Sequence, residues 1–426
     1  EFCVKNEYWY DFGKPQHQKK EQLEEVLGRV SNQVFLELRD EINGRIPVVP
    51  LSGGYDSRFI VAMLKKMGFK KVICLSYGVS GNWETKKSKM VAELLGFDWI
   101  FVEHSRETWR RILGDPVFYR FVSFAHNFSS SSHLQEFGLL KFLGQTVLEE
   151  KKENLVFIPG HAADFVAGSH LNSSSWTSKN PKSCVEAIMN RHYKLCHPPW
   201  NEKMVQEILR QVRVEYNGFS EFWQIYEAWN WRERQSKFIA NANRVYDFFG
   251  YCWALPFWKK GFVDFWGAVP GGFKLKKNLY DEFLENGLFR EFGIDFDSQK
   301  HRESRNKSIL EITGGVQKDS RIKQIAKKNL LFSEIYRKSR RLFCPGKYDP
   351  CGFESLLPRL GKFARGKFPC GRRKLSEWKR EYGLKQSEEV NAYIANFIVA
   401  GLLEEGFLLP DENPASRGEG PSVSLK

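Results

Sequence analysis

Two short stretches gather side chains able to handle a phosphorylated ligand. The first is Ser52-Gly53-Gly54-Tyr55-Asp56-Ser57, preceded by Leu51; the second is Pro159-Gly160-His161-Ala162-Ala163-Asp164. In the first, the paired glycines let the backbone pass close to a ligand, and Ser52 and Ser57 add hydroxyl donors. A helix starting at this point turns its first amides, with their partial positive charge, toward an anion. Asp56 adds a hard oxygen donor for a divalent cation. These residue types suit a phosphate group. The loop is not a Walker A, because no Gly-x-x-x-x-Gly-Lys-Ser/Thr occurs there.

A change of hydrophobic period positions the first stretch. Ile46–Leu51 is a short apolar run that reads as a buried strand. After the glycines, Phe59, Ile60, Met63, Leu64 and Met67 share one helical face. Upstream, Gln22–Ile42 is helical in spacing. Downstream, Lys71–Gly78 predicts a second strand, Glu84–Gly96 a helix and Phe97–His104 a third strand. Residues 105–150 read as helical with a polar break at His126–His133, and Asn154–Ile158 predicts a fourth strand that delivers Pro159–Asp164. Alternating strands and helices imply an α/β fold, a parallel sheet with helices on both faces. Ligands of such sheets sit at the carboxyl ends of the strands, where Ser52–Ser57 and Ser76–Ser80 both fall. From about residue 180 to 290 the pattern is mostly helical and rich in Trp, Tyr and Phe.

With 426 residues the chain has room for two or three domains. Three parts are expected: a linker-like tail at 1–21, a main domain at 22–317, and a C-terminal region at 318–426 with a small, polar, disordered end. The charge is uneven. Between Lys318 and Arg380 stand nineteen Lys and Arg against five Asp and Glu, which accounts for the whole net charge of +14. A polyanion contact is therefore expected in 318–380, with Phe332, Tyr336, Phe343, Phe353 and Phe363 as stacking surfaces; solvated helix faces are the plainer reading. Cys344, Cys351 and Cys370 give three thiols for zinc but no CxxC pair or nearby histidine. No apolar run approaches the ~18 residues of a membrane span. The first residues, EFCVKNEYWYDFGK, do not read as a signal peptide. Eight scattered cysteines do not suggest a disulfide framework, so a cytoplasmic protein is expected.

The loop Ser52–Ser57 resembles the SGGxDS loop of the PP-loop, or N-type, ATP pyrophosphatases. Four features then follow in order: SGGYDS, the strand ending LSYGV, the strand ending IPGHAAD, and WALPFWKKGFVDFWGAVP. That order resembles the synthetase domain of the asparagine synthetase family, whose relatives include beta-lactam synthetase and lasso-peptide cyclases, over about residues 22 to 290. The resemblance implies an adenine nucleotide alpha-hydrolase-like fold, ATP and Mg2+ as cofactors, and metal binding by Asp56 and Asp164. It implies nucleotide contacts from Leu51, Ser52, Gly53, Gly54, Asp56, Ser57, Ser76, Tyr77, Val79, Pro159 and Gly160. The glutaminase domain that precedes the family's synthetase domain is not seen here.

Departures alter the implied chemistry. Where asparagine synthetase has a glutamate, this chain has His161, and beta-lactam synthetase has a tyrosine. With an ordinary pKa near working pH, His161 is a candidate base toward an attacking amine, or else a structural histidine. Cys252 and Ala254 replace a later family glutamate and arginine, Cys252 reading as a small core residue. For the family's second-step lysine the candidate is Lys300, within QKHRESRNK beside Arg302, Arg305 and Lys307. The expected activity is an AMP-forming ligase that adenylates an unidentified carboxylate and passes the acyl group to an amine. The nitrogen is ammonia, from solution or a separate glutaminase, or an amine-bearing substrate. Two alternatives stay open: a tRNA-modifying PP-loop enzyme resembling lysidine synthetase, and a nucleotide-binding module without catalysis.

Overall fold

The computed structural model describes residues 19–126, 130, 132–146, 152–193, 202–216, 221–312, 369–381, 395, 397–401 and 404. Helix α1 (Lys20–Ile42) buries Leu23, Leu27, Val34, Phe35, Leu38 and Ile42 along one stripe and ends where Asn43 turns left-handed, at φ 50°. Strand β1 (Ile46–Pro50) leads through the glycine loop into α2 (Tyr55–Lys66). Then come β2 (Ile73–Gly78), α3 (Trp83–Leu95) and β3 (Asp98–Glu103), and after them α4 (Arg106–Gly114), α5 (Pro116–His126) and α6 (Gln135–Thr146). Strand β4 (Leu155–Phe157) precedes a single helical turn, α7 (Ala163–Val166). Asn82 and Ser105 cap α3 and α4 with side-chain oxygens, as expected of those residue types.

The sheet has five strands in the order β3-β2-β1-β4-β5, where β5 is Cys252–Trp253. Every pairing is parallel. The period of two divides the strand residues between two cores. Val49, Cys74 and Val156 face one layer with α1, α2 and α7; Val48, Ile73, Leu75, Leu155 and Phe157 face another with α4, α5 and α6. Helices thus cover both faces, as the alternation of elements predicts. The chain winds outward from β1 through β2 to β3, then returns to place β4 on the other side of β1. The crevice at the carboxyl ends of β1 and β4 is the place where such a sheet binds ligands.

The second half is helical: α8 (Ser173–Trp176), α9 (Pro181–His192), α10 (Glu202–Tyr216), α11 (Phe222–Asn230), a π-helix at Trp231–Ile239 and α12 (Arg244–Phe249). After β5 come α13 (Lys260–Ala268), α14 (Gly271–Lys274), α15 (Asn278–Asn286), α16 (Leu288–Glu291) and α17 (Ser298–Ile312). One helix of the basic region is described, α18 (Pro369–Glu381). Cys344, Cys351, the aromatic residues from Phe332 to Phe363, and the chain's last residues lie outside the described residues. The two-residue β5 is too short to leave a periodic signal. Cys252 on it is exposed rather than packed in the core, while Ala254 is buried. No described helix is long and apolar enough to cross a membrane.

Candidate active site

The loop after β1 is braced from within. Ser57 Oγ accepts the Ser52 amide at 3.1 Å, the two serine hydroxyls lie 3.1 Å apart, and Ser52 Oγ accepts the Gly54 amide at 3.1 Å. The hydroxyls expected to reach a ligand thus hold the loop's shape instead. Gly54 caps α2 without a side-chain hydrogen bond, so the first turn's amides are left for an anion. Gly53 has a steric reason to be glycine: a Cβ there would stand 3.1 Å from the Trp83 ring. Below the loop, the buried Arg58 donates to Gly53 O at 3.0 Å, to Ile294 O at 2.9 Å and to Asp297 Oδ1 at 3.0 Å. Lys87 also pairs with Asp297. Burial works to raise the Asp297 pKa, but Arg58 and Lys87 outweigh it and hold it at about 2.

Gly160, after β4, fits against this loop. A Cβ on it would meet Asp56 Cβ and Ser57 N, each at 3.0 Å. That close approach brings the second stretch onto the first. Asp56 Oδ2 accepts the Asp164 amide at 3.0 Å, and Oδ1 accepts the Tyr280 hydroxyl at 2.9 Å. Between them Ala162 sits at φ 76°, a left-handed conformation that costs a non-glycine residue energy. Burial and then the nearby Asp164 raise the Asp56 pKa to about 7. A divalent cation would relieve that pairing.

Lys277 supplies a cation from the protein. Its Nζ lies 3.3 Å from Asp281 Oδ1. Burial works to lower its pKa, but Asp281, Asp56 and Asp164 outweigh that and raise it. Lys276 and Lys277 both have left-handed backbones, at φ 57° and 60°, consecutive strain of the kind found at functional sites. Among the described residues no group of three or more His, Cys, Asp or Glu gathers as a metal site. Two carboxylates nonetheless suit magnesium, which commonly takes one or two from the protein and its other ligands from phosphates and water.

Asp56, Gly160, His161 and Asp164 line one side of a cavity of about 1030 Å³. His161 does not keep an ordinary pKa. Burial and then His133 lower it to about 4, an Asn243 hydrogen bond opposing them, and its Nδ1 is buried without a partner. At neutral pH the ring is uncharged. The other expected residues fall elsewhere. Ser76 Oγ is buried, donating to Leu51 O at 2.7 Å and contacting Ser88 and Trp99, so this hydroxyl is structural. The Tyr77 ring stacks on His104 at 5.1 Å, and Val79 O accepts from Asn82. These three lie at the end of β2, beside β1 and outside the cavity. Pro159 is buried between β4 and Gly160.

Lys300 is exposed on the first turn of α17, and the whole stretch QKHRESRNK is helical. Arg302 and Arg305 in it bind Glu285. The cation at the carboxylates is Lys277 instead. Sequence reasoning missed Lys277, Tyr280, His133 and Arg234. Lys277 follows Lys274 and Lys276 in a short basic run, and its place near Asp281, Asp56 and Asp164 comes from the fold rather than from a local pattern. No family model matches the chain, and no curated protein matches it. Function therefore rests on the side chains themselves.

Proposed function

We propose that the chain is an ATP-dependent ligase that adenylates a carboxylate, releasing pyrophosphate, and transfers the acyl group to an amine. The observation that carries this reading is the meeting of Asp56 and Asp164 at the sheet's switch point, joined through the Asp164 amide. A glycine loop and an uncapped helix start stand beside them. The fold is read accordingly as a PP-loop, asparagine synthetase-like one. Helix-start amides hold the departing pyrophosphate, and preorganised donors of this kind are the largest catalytic contribution in such sites. Magnesium held by Asp56 and Asp164 would supply Lewis-acid stabilisation of the phosphates. Tyr280 orients Asp56, and Lys277 adds positive charge where negative charge grows. His161, uncharged at neutral pH, lines the same cavity and is the base proposed to serve the incoming amine.

The test is exchange of labelled pyrophosphate into ATP with a panel of carboxylic acids. Acid-dependent exchange in the wild type that D56N and D164N abolish is the expected result. ATP binding with no exchange for any acid would instead mark a nucleotide-binding module. Tight, steeply salt-dependent binding to tRNA would favour the RNA-modifying reading.

A further inference from the structure

The cavity lined by Asp56 and Asp164 is also lined by Arg191, Tyr193, Tyr226, Trp229, Arg234 and Phe238. Part of that lining is the π-helix Trp231–Ile239, whose wide coil sets Arg234, Gln235 and Phe238 on the cavity. Such coils concentrate at functional sites. The Arg234 guanidinium lies 5.7 Å from the centroid of the Phe238 ring. Burial lowers its pKa; Asp164 opposes that and Arg191 adds to it, and both line the same cavity as Arg234. The neighbouring Glu233 is taken by Lys237 at 2.6 Å. Among the described residues no carboxylate forms a salt bridge with Arg234. A half-buried cation beside a like charge is costly unless an anion joins it.

The rest of the lining is polar as well as aromatic. Gln235 Nε2 donates to Asn230 Oδ1 at 3.1 Å, Asn230 Nδ2 lies 3.2 Å from His192 Nε2, and that nitrogen lies 2.8 Å from the Tyr226 hydroxyl. That network is largely buried and paired within itself; the half-buried Gln135, Ser169 and Glu233 also line the cavity, and a polar lining of this kind suits hydroxyls better than an alkyl tail. At about 1030 Å³ the cavity is at the upper end for small-molecule sites, larger than a single amino acid would fill.

We infer that Arg234, with the exposed Arg191, binds the carboxylate of a sugar acid, whose rings lie against Tyr193 and Phe238. The guanidinium fork matches a carboxylate in two parallel hydrogen bonds. Held there, the acid's oxygen sits next to Asp164, on the side where the nucleotide's phosphates are bound. Arg234 is thus a positioning and specificity residue. This inference rests on the adenylating reading and names its acid.

Calorimetry on the full chain without ATP tests it, using digalacturonate, its dimethyl ester and octanoate. Digalacturonate is expected to bind at least tenfold more tightly than the ester, and octanoate not at all. R234Q should weaken digalacturonate at least tenfold, leave the ester and magnesium–ATP binding unchanged, and keep the wild-type melting temperature; R234K should recover part of the loss. Equal binding of acid and ester, preference for octanoate, no binding of digalacturonate, or an indifferent R234Q would each overturn it. Pyrophosphate exchange separates this inference from the broader reading. Digalacturonate that binds through Arg234 while no acid of the panel supports exchange sinks the ligase and leaves the pocket. Exchange with some other acid, untouched by R234Q, sinks the pocket and leaves the ligase.

Discussion

Lys277 and Asp56 show how much of the site's electrostatics is set by neighbours. With Asp281, Asp56 and Asp164 around it, Lys277 stays charged despite burial. Replacing it with methionine should cut pyrophosphate exchange about 10²- to 10³-fold, the scale of a lost transition-state donor, with ATP binding retained. K300A should stay within about twofold of wild type, because Lys300 is exposed on α17. Asp56 gives a pH prediction. Its folded pKa is raised to about 7 by burial and Asp164, above the ~3.9 of a free aspartate. Stability is therefore fully present below about pH 4 and falls as pH rises toward 7. D56N removes that loss. Without divalent cations it should melt higher than wild type at pH 8, with the gap narrowing as pH falls and closing by about pH 4, although it is inactive. If thermal scans show D56N melting lower at pH 8, the two carboxylates do not oppose one another. Ala162, at φ 76°, should accept glycine with a gain of about 1 kcal/mol in urea unfolding.

Helix α2 is fixed at its start by a bolt from outside its own unit. Arg58 ties the Gly53 carbonyl to Ile294 and Asp297, and Tyr55 donates to Glu285 of α15 at 2.8 Å. D297N leaves a buried guanidinium without its counter-ion and should cost about 3 kcal/mol. Because the Asp297 pKa is held at about 2, its contribution is present above about pH 4 and is lost as pH falls toward 2. The gap between wild type and D297N in urea unfolding should thus be wide at pH 6 and shrink steadily below pH 4. At this scale the sequence is informative where periodicity is strong. The elements from α1 to β4 are readable because the strands are short apolar runs, with β1, β2 and β4 buried on both faces, set between longer segments of helical period. Asp56 and Asp164 are readable because strand–turn–helix order puts both at carboxyl ends. The π-helix, β5 and the left-handed pair Lys276–Lys277 are not, since a two-residue strand has no period and a wide coil differs from an α-helix by single residues. His161 was found by position, but its lowered pKa comes first from burial and then from His133 (about thirty residues away in sequence), and no local pattern reveals either.

Across the whole molecule, the sheet separates two apolar layers, and the outer end of one is closed by residues far along the chain. Leu375 on α18 and Phe397, Ile398 and Ala400 join the layer that holds Val48, Leu75 and Phe157. A Cβ on Gly371 would meet the Ala400 carbonyl oxygen, so α18 and the segment at 397–401 pack backbone to backbone. The excess of positive charge beginning at Lys318 suggests a separate region, because charge density reports solvent-facing residues and says nothing of the few apolar ones that dock. Phe397, 4% exposed, decides how the two descriptions fit together. If it is part of the sheet's own core, F397A removes a large buried ring and should cost about 3–4 kcal/mol, within a single cooperative transition. Tryptophan fluorescence and far-ultraviolet circular dichroism should then report coincident urea midpoints, both shifted downward. A separate early transition confined to one probe, with the main midpoint unmoved, would mean that α18 and Phe397 form a unit that unfolds on its own. The surface they cover would then be only loosely closed. In that case G371A, which forces the same two backbones apart, should reproduce the early transition and leave pyrophosphate exchange intact.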